Sequence, residues 1–404
     1  MSGGLTPNAE AMLEAVEPEP ILARTLDWAA VNSGTGNLDG VARMADKLAD
    51  AFAALPGEVR LVDPAPVDKV DAAGKPYEVA HGQHLVVSVR PEAKRRVLLT
   101  GHMDTVYPAD HPFQTCNWLD DERLHGPGTA DMKGGLSLLL EGLKAFETAA
   151  PEIGYDVMVN SDEETGSASS ATLIENLAQG KIAALTYEPS LPDGSMARAR
   201  PGSGNFAIVV RGQSAHAGRN PEDGRNAIVA ASALAVELYA ASRDGLRINP
   251  AKIDGGGPNN VVPDLAVLNV NVRPRGEQDL AEAQALIADL VARIAAERDV
   301  GIELTGGFGR PPKPVGAADE ALFALVQRSA ADLGDTIGWK DTGGVCDGNN
   351  VRSCGVPVVD TMGAMGANIH SPEEWMLVPS LAQRAKLTAL VMHRIDRGET
   401  PWLS

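Results

Sequence analysis

Apolar and polar positions change rhythm several times along the chain. Residues 84–90 and 95–101 are short apolar runs, the pattern of strands covered on both faces. Residues 154–160 and 182–187 read the same way. Between them, residues 133–150 open with glycines and then repeat apolar positions at helical spacing. The stretch 10–55 reads as helical, broken by the polar residues from Asn32 to Asn37. Strands alternating with helices predict an α/β fold: a mostly parallel sheet with helices on both faces.

After about Pro192 the rhythm changes. Residues 206–211 form a short apolar run, and 226–241 are rich in Ala, Leu and Val. Residues 265–273 alternate apolar and polar, as a half-buried antiparallel strand does. A long amphipathic helix is predicted over 280–298 and a strand over 301–305. These elements make a compact α+β unit. Beyond it the α/β rhythm returns, with a helix over 319–333, a strand over 357–361 and a helix over 380–397. The expected organisation is one domain built from 1–195 and 309–404, interrupted by a smaller inserted α+β domain over 196–308.

A chain of 404 residues has room for two domains. Its formal charge of −19 and aromatic share of 4% argue against nucleic acid and against anionic membrane surfaces. It contains no apolar run long enough for a spanning helix. Glu10, Glu14, Glu17 and Glu19 precede the first basic residue, Arg24, which does not suit a secretory signal. Cys116, Cys346 and Cys354 are too few and too irregular for a disulfide framework. The expectation is a cytoplasmic protein.

Candidate chemistry gathers at the ends of the apolar runs. The first ends in His102, with Asp104 two residues on, placed to hold the second ring nitrogen of the histidine. A glycine-rich loop from Gly126 to Gly128 leads to Asp131, which would otherwise serve as a helix cap. A third run ends in Asp162, Glu163 and Glu164. In an extended chain Glu163 and Glu164 face opposite ways, so one can bind a metal while the other faces substrate. A fourth run ends in Glu188, and His370 follows a glycine-rich stretch. Each signal is weak alone. Together they put two histidines and several acids past the C-terminal ends of strands, where open α/β sheets form their sites. Imidazole and carboxylate without thiolate suit a divalent ion, zinc first, with cobalt or manganese as alternatives.

This set resembles the zinc exopeptidase family of bacterial glutamate carboxypeptidase, acetylornithine deacetylase, succinyl-diaminopimelate desuccinylase and aminoacylase. The resemblance runs from about Leu22 to Arg397. It implies two divalent ions, one held by His102, Asp131 and Glu188 and the other by Asp131, Glu164 and His370. It implies Glu163 as general base and Asp104 as the acid behind His102. His216, in Ser214-Ala215-His216-Ala217-Gly218, matches a histidine that binds the developing oxyanion. Asn260, Arg273 and, more loosely, Arg310 match residues that contact the carboxylate end of the substrate. The glycine-rich loop from Thr342 departs from the family by placing Cys346 where a small or hydroxyl residue is usual. The resemblance also implies a homodimer formed through the inserted domain. The remaining histidines, His81, His84, His111, His125 and His393, match no such pattern.

The activity this resemblance implies is hydrolysis of an amide by metal-activated water, releasing a C-terminal amino acid such as glutamate from an acyl or peptidyl group. The alternative is an N-acetyl or N-succinyl amino-acid deacylase using the same site. In either case the partner is a small molecule or peptide with a free carboxylate.

Overall fold

The computed structural model describes residues 5–403. Its central sheet has six strands, in the order Glu58–Val62, His84–Val89, Gly154–Asn160, Arg96–His102, Ala183–Thr186 and Val358–Val359. Five run in one direction, and His84–Val89 opposes both of its neighbours. The apolar runs dictate this arrangement. Successive side chains point to opposite faces, so an unbroken apolar strand needs a cover on each side. Leu85, Val87, Leu99 and Val157 face one cover, which includes Leu139 and Leu143 of Gly134–Thr148 and Leu390 of Pro379–Asp396. Val86, Leu98 and Met158 face the other, with Ile174 and Val351.

A second sheet is antiparallel throughout, in the order Leu246–Gly255, Leu265–Pro274, Ser203–Arg211 and Gly301–Arg310. Helices Ala227–Ala240 and Glu277–Arg298 cover one face, and Ile208, Val210, Leu234, Leu268 and Ile287 form a core separate from the first. The strand Leu246–Gly255 is absent from the sequence-based reading. Pro250 breaks its pattern, and the register shifts between Pro250 and Lys252. The strand lies at the sheet edge, where a missing N–H is tolerated.

The chain enters and leaves this second unit side by side. Arg200 and Lys313 pair antiparallel, each backbone N–H donating to the other's carbonyl at 3.2 and 3.0 Å. A small hairpin, Asp68–Val70 with Pro76–Glu78, leans onto the second sheet. The carbonyl of Gly74 at its tip accepts from Arg211 Nη2 at 2.8 Å. Gly74 has φ +67°, and an added Cβ would stand 2.8 Å from Val209, so glycine answers both demands.

Candidate metal centre and active site

Three parallel strands deliver side chains to one edge of the central sheet. Arg96–His102 ends on His102, Gly154–Asn160 leads to Glu163 and Glu164, and Ala183–Thr186 leads to Glu188. Asp131 arrives on the loop preceding helix Gly134–Thr148, and His370 on the loop before the short strand Trp375–Leu377. Their ligand atoms fall into two groups, each within 4.8 Å: His102, Asp131 and Glu188, then Asp131, Glu164 and His370. Asp131 belongs to both. Its Oδ1 lies 3.1 Å from His102 Nε2 and its Oδ2 lies 3.3 Å from His370 Nε2. Glu164 Oε2 is 3.1 Å from the same His370 nitrogen.

This donor set fits divalent cations. Burial, then the nearby Asp131 charge, pushes the Glu164 carboxyl up to about 7, and burial raises Glu188. Hydrogen bonds to Asp131 and Glu164 raise His370 to about 11. Burial disfavours charge on His102, but the carboxylates of Asp104, Asp131 and Glu188 outweigh it and hold its pKa well above the ordinary value. Glu188 Oε1 is buried without a hydrogen-bond partner. Clustered carboxylates with an orphaned oxygen form a pocket short of positive charge, which a metal supplies.

The supporting shell is built from backbone as well as side chains. His102 Nδ1 lies 3.0 Å from the carbonyl of Asp104 and 3.4 Å from its Oδ1. The carboxylate of Asp104 chiefly serves other groups: it accepts from Glu163 N at 3.1 Å, Glu164 N at 3.2 Å and Thr35 Oγ1 at 2.7 Å. Glu163 and Glu164 sit on a single 3₁₀ turn, Glu163–Thr165, instead of an extended strand. They still meet different partners. Glu164 meets His370, and Glu163 Oε1 meets Arg310 Nη2 at 2.6 Å. Burial pushes the Glu163 carboxyl well up, against the pull of Arg310.

Behind this layer lies a second charged cluster. Asp360 Oδ2 is 2.7 Å from Arg200 Nε and 3.3 Å from Lys313 Nζ, and all three side chains are buried. Cys346 Sγ contacts the same oxygen at 3.7 Å. Burial holds that thiol well above its ordinary pKa, so it stays protonated at neutral pH.

Other residues singled out in the sequence stand apart from the metal ligands. His216 and Asn260 lie on adjoining loops of the second unit, where Ala217 N donates to Asn260 O at 2.9 Å. Both are exposed. Arg273 Nε donates to Asn271 Oδ1 at 2.9 Å and its Nη1 to Gly343 O at 3.1 Å. It therefore joins the second sheet to the glycine-rich loop. His84 is buried beside Ser161, and His125 contacts the carbonyl of Pro372, as ordinary structural histidines do.

The signature of peptidase family M20/M25/M40 matches residues 98–394, a span that includes every one of these candidate ligands. The chain belongs to this family. It is therefore a metal-dependent hydrolase of amide or peptide bonds. Along its length this M20 peptidase is 28% identical to carboxypeptidase G2 of a Pseudomonas species, over 95% of this chain and 92% of that one. It is 26% identical to acetylornithine deacetylase of Salmonella typhi, over 74% and 79% of the two chains. A tripeptidase from Staphylococcus aureus shares the fold with a TM-score of 0.71, at 23% identity over 95% and 99%. So does an M20 family metallo-carboxypeptidase from Sulfolobus solfataricus, with a TM-score of 0.68 at 15% identity over 92% and 98%.

Two supporting residues of this M20 peptidase escaped the sequence reading. Thr35 lies in the polar stretch that interrupts the N-terminal helices. Glu374 follows Glu373 close after His370, where a pair of acids reads as a solvated turn. The glycine-rich lead-in to Asp131 was the available signal, since buried amides there need an acceptor.

Proposed function

We propose that this chain is a two-metal carboxypeptidase that releases a C-terminal amino acid, glutamate first among the candidates, from an acyl or peptidyl group. The observation that carries this reading is Arg310. It is 7% exposed and directs its hydrogen bonds through Nη2, to the carbonyl of Glu163 and to Ser167. Its buried Nε has no partner. Its Nη2 also pairs with the carboxylates of Glu163 at 2.6 Å and Asp347 at 3.5 Å, so Arg310 is a buried cation beside the candidate base, the kind of group that attracts and orients a substrate carboxylate. Arg273 is the second candidate, with Nε donating to Asn271 and Nη1 to Gly343.

His102, Asp131 and Glu188 would hold one ion, and Asp131, Glu164 and His370 the other, with zinc the first assignment. When bound, the ions lower the pKa of a water towards about 7 and polarise the scissile carbonyl. Glu163 takes the proton of the attacking water and returns it to the leaving nitrogen. Asp104 fixes the backbone of that base and the ring of His102. Residues 196–308 act as a lid and dimerisation unit. A homodimer brings the exposed His216 to the developing oxyanion, while Asn260 and Arg273 line the closed site. We assign the protein to the cytoplasm.

Metal analysis joined to a substrate screen tests this reading. Purified protein should carry about two divalent ions per chain and lose activity on chelation. Acyl-glutamates and short peptides should yield a free C-terminal amino acid. Release of acetate or succinate from small acyl-amino acids would favour the deacylase alternative. No hydrolysis of either class after adding zinc, cobalt or manganese would sink both.

A further inference from the structure

Asp131 is the one side chain common to both ligand groups, so the spacing of two ions would depend on how its carboxylate is held. Its loop is held by Glu374. This carboxylate is 1% exposed. Its Oε1 accepts from Ala130 N at 2.9 Å and Asp131 N at 3.1 Å. Its Oε2 accepts from Gly128 N at 3.0 Å and from the Tyr107 hydroxyl at 2.9 Å. That hydroxyl also lies 2.7 Å from the carbonyl of Ser371, the residue after His370. The backbone of Glu374 joins in, its carbonyl accepting from Gly126 N at 3.2 Å.

Three backbone amides and a hydroxyl shared with the carbonyl of Ser371 converge on one buried carboxylate. The amides belong to the backbone that orients Asp131, and the hydroxyl links to the segment carrying His370. Buried amides must be paired, but any polar acceptor could pair them singly. One carboxyl group pairs them together and, when ionised, at charge-assisted strength. Groups behind metal ligands fix orientation in this way.

We propose that Glu374 is a positioning residue that sets the bridging geometry of Asp131, and through it the coupling of two metal ions. This rests on the two-metal reading above. Glu374 itself belongs to neither ligand group. It acts through the amides of Gly128, Ala130 and Asp131.

The test is a cobalt(II) titration of the metal-free protein, followed by visible absorption, for the parent, Glu374→Gln and Tyr107→Phe. The parent should take up two ions, and failure to do so would count against the two-metal reading itself. Glu374→Gln keeps the size and one acceptor oxygen but turns the other into a donor facing Gly128 N. It should bind one or both ions about 10–100-fold more weakly, in the range usual for groups behind metal ligands. It should also change the shape of the cobalt spectrum at full occupancy. Tyr107→Phe removes one donor to the same carboxylate and should shift both readouts in the same direction by less. It keeps the proposal testable if Glu374→Gln fails to fold. Thermal unfolding of the metal-free proteins separates the alternative. A lowered melting temperature with parent-like affinities and spectra in the folded variants would make Glu374 a plain structural brace and overturn the proposal.

Discussion

Glu163 and Glu164 are adjacent in sequence, yet Glu164 faces His370 and Glu163 faces Arg310. The division of labour expected for an extended chain is therefore present on a tight turn, set by Asp104 accepting both backbone amides. Replacing Glu163 with Gln should lower kcat by about 10²–10⁴-fold, the usual worth of a positioned base, while metal content stays at the parent level. Asp360 makes a different prediction. Burial raises its pKa, but Arg200 and Lys313 outweigh that and leave it lowered. Its contribution is therefore present above the ordinary unfolded carboxyl value and is lost as pH falls through the lowered folded value. Asp360→Asn strands two buried cations and should cost about 3–5 kcal/mol at neutral pH by urea unfolding. That difference from the parent should shrink as the titration is repeated below about pH 4. The candidate ligands were legible because each is a His or acid at the end of an apolar run, as His102, Glu164 and Glu188 are, or just after a glycine-rich stretch, as Asp131 and His370 are. Thr35 and Glu374 were not, since they act on backbone and on other acids, and single polar residues in loops carry no periodicity.

The central strands were legible almost to the residue, because burial on both faces keeps their runs mostly apolar, with the buried Asp156 paired to Arg96 and Lys181. Gly154–Asn160 is buried along its whole length. Leu99 lies mid-strand, fully buried between two parallel neighbours. Leu99→Ala should cost about 2–5 kcal/mol, readable as a lower urea midpoint with unchanged slope. The edge strands were harder. In Glu58–Val62 the charged Glu58 and Arg60 are exposed, and only one neighbour pairs with it. Leu246–Gly255 is interrupted by Pro250. Edge strands answer to one partner and to solvent, so their composition is less constrained.

At the scale of the molecule, an α/β body and a separate α+β core were both readable from where the period changes. The homodimer, by contrast, is an expectation that rests on family resemblance alone. Helix Ala227–Ala240 leaves Val236 and Tyr239 each 67% exposed, on the side away from its own sheet. If this face forms the proposed homodimer, Val236→Asp with Tyr239→Asp should sediment as a monomer at micromolar concentration. Turnover should fall with it, because His216 would no longer reach a partner's site. The pairing of Arg200 with Lys313 bears on how such a chain assembles. Bringing the ends of an unstructured 201–312 segment together costs roughly 4 kcal/mol in loop entropy. Once those residues have formed their own sheet, the ends are already one antiparallel pair apart. The remainder of the chain then folds across a gap no wider than a hairpin turn, and its parallel sheet closes almost as if the insertion had never been made.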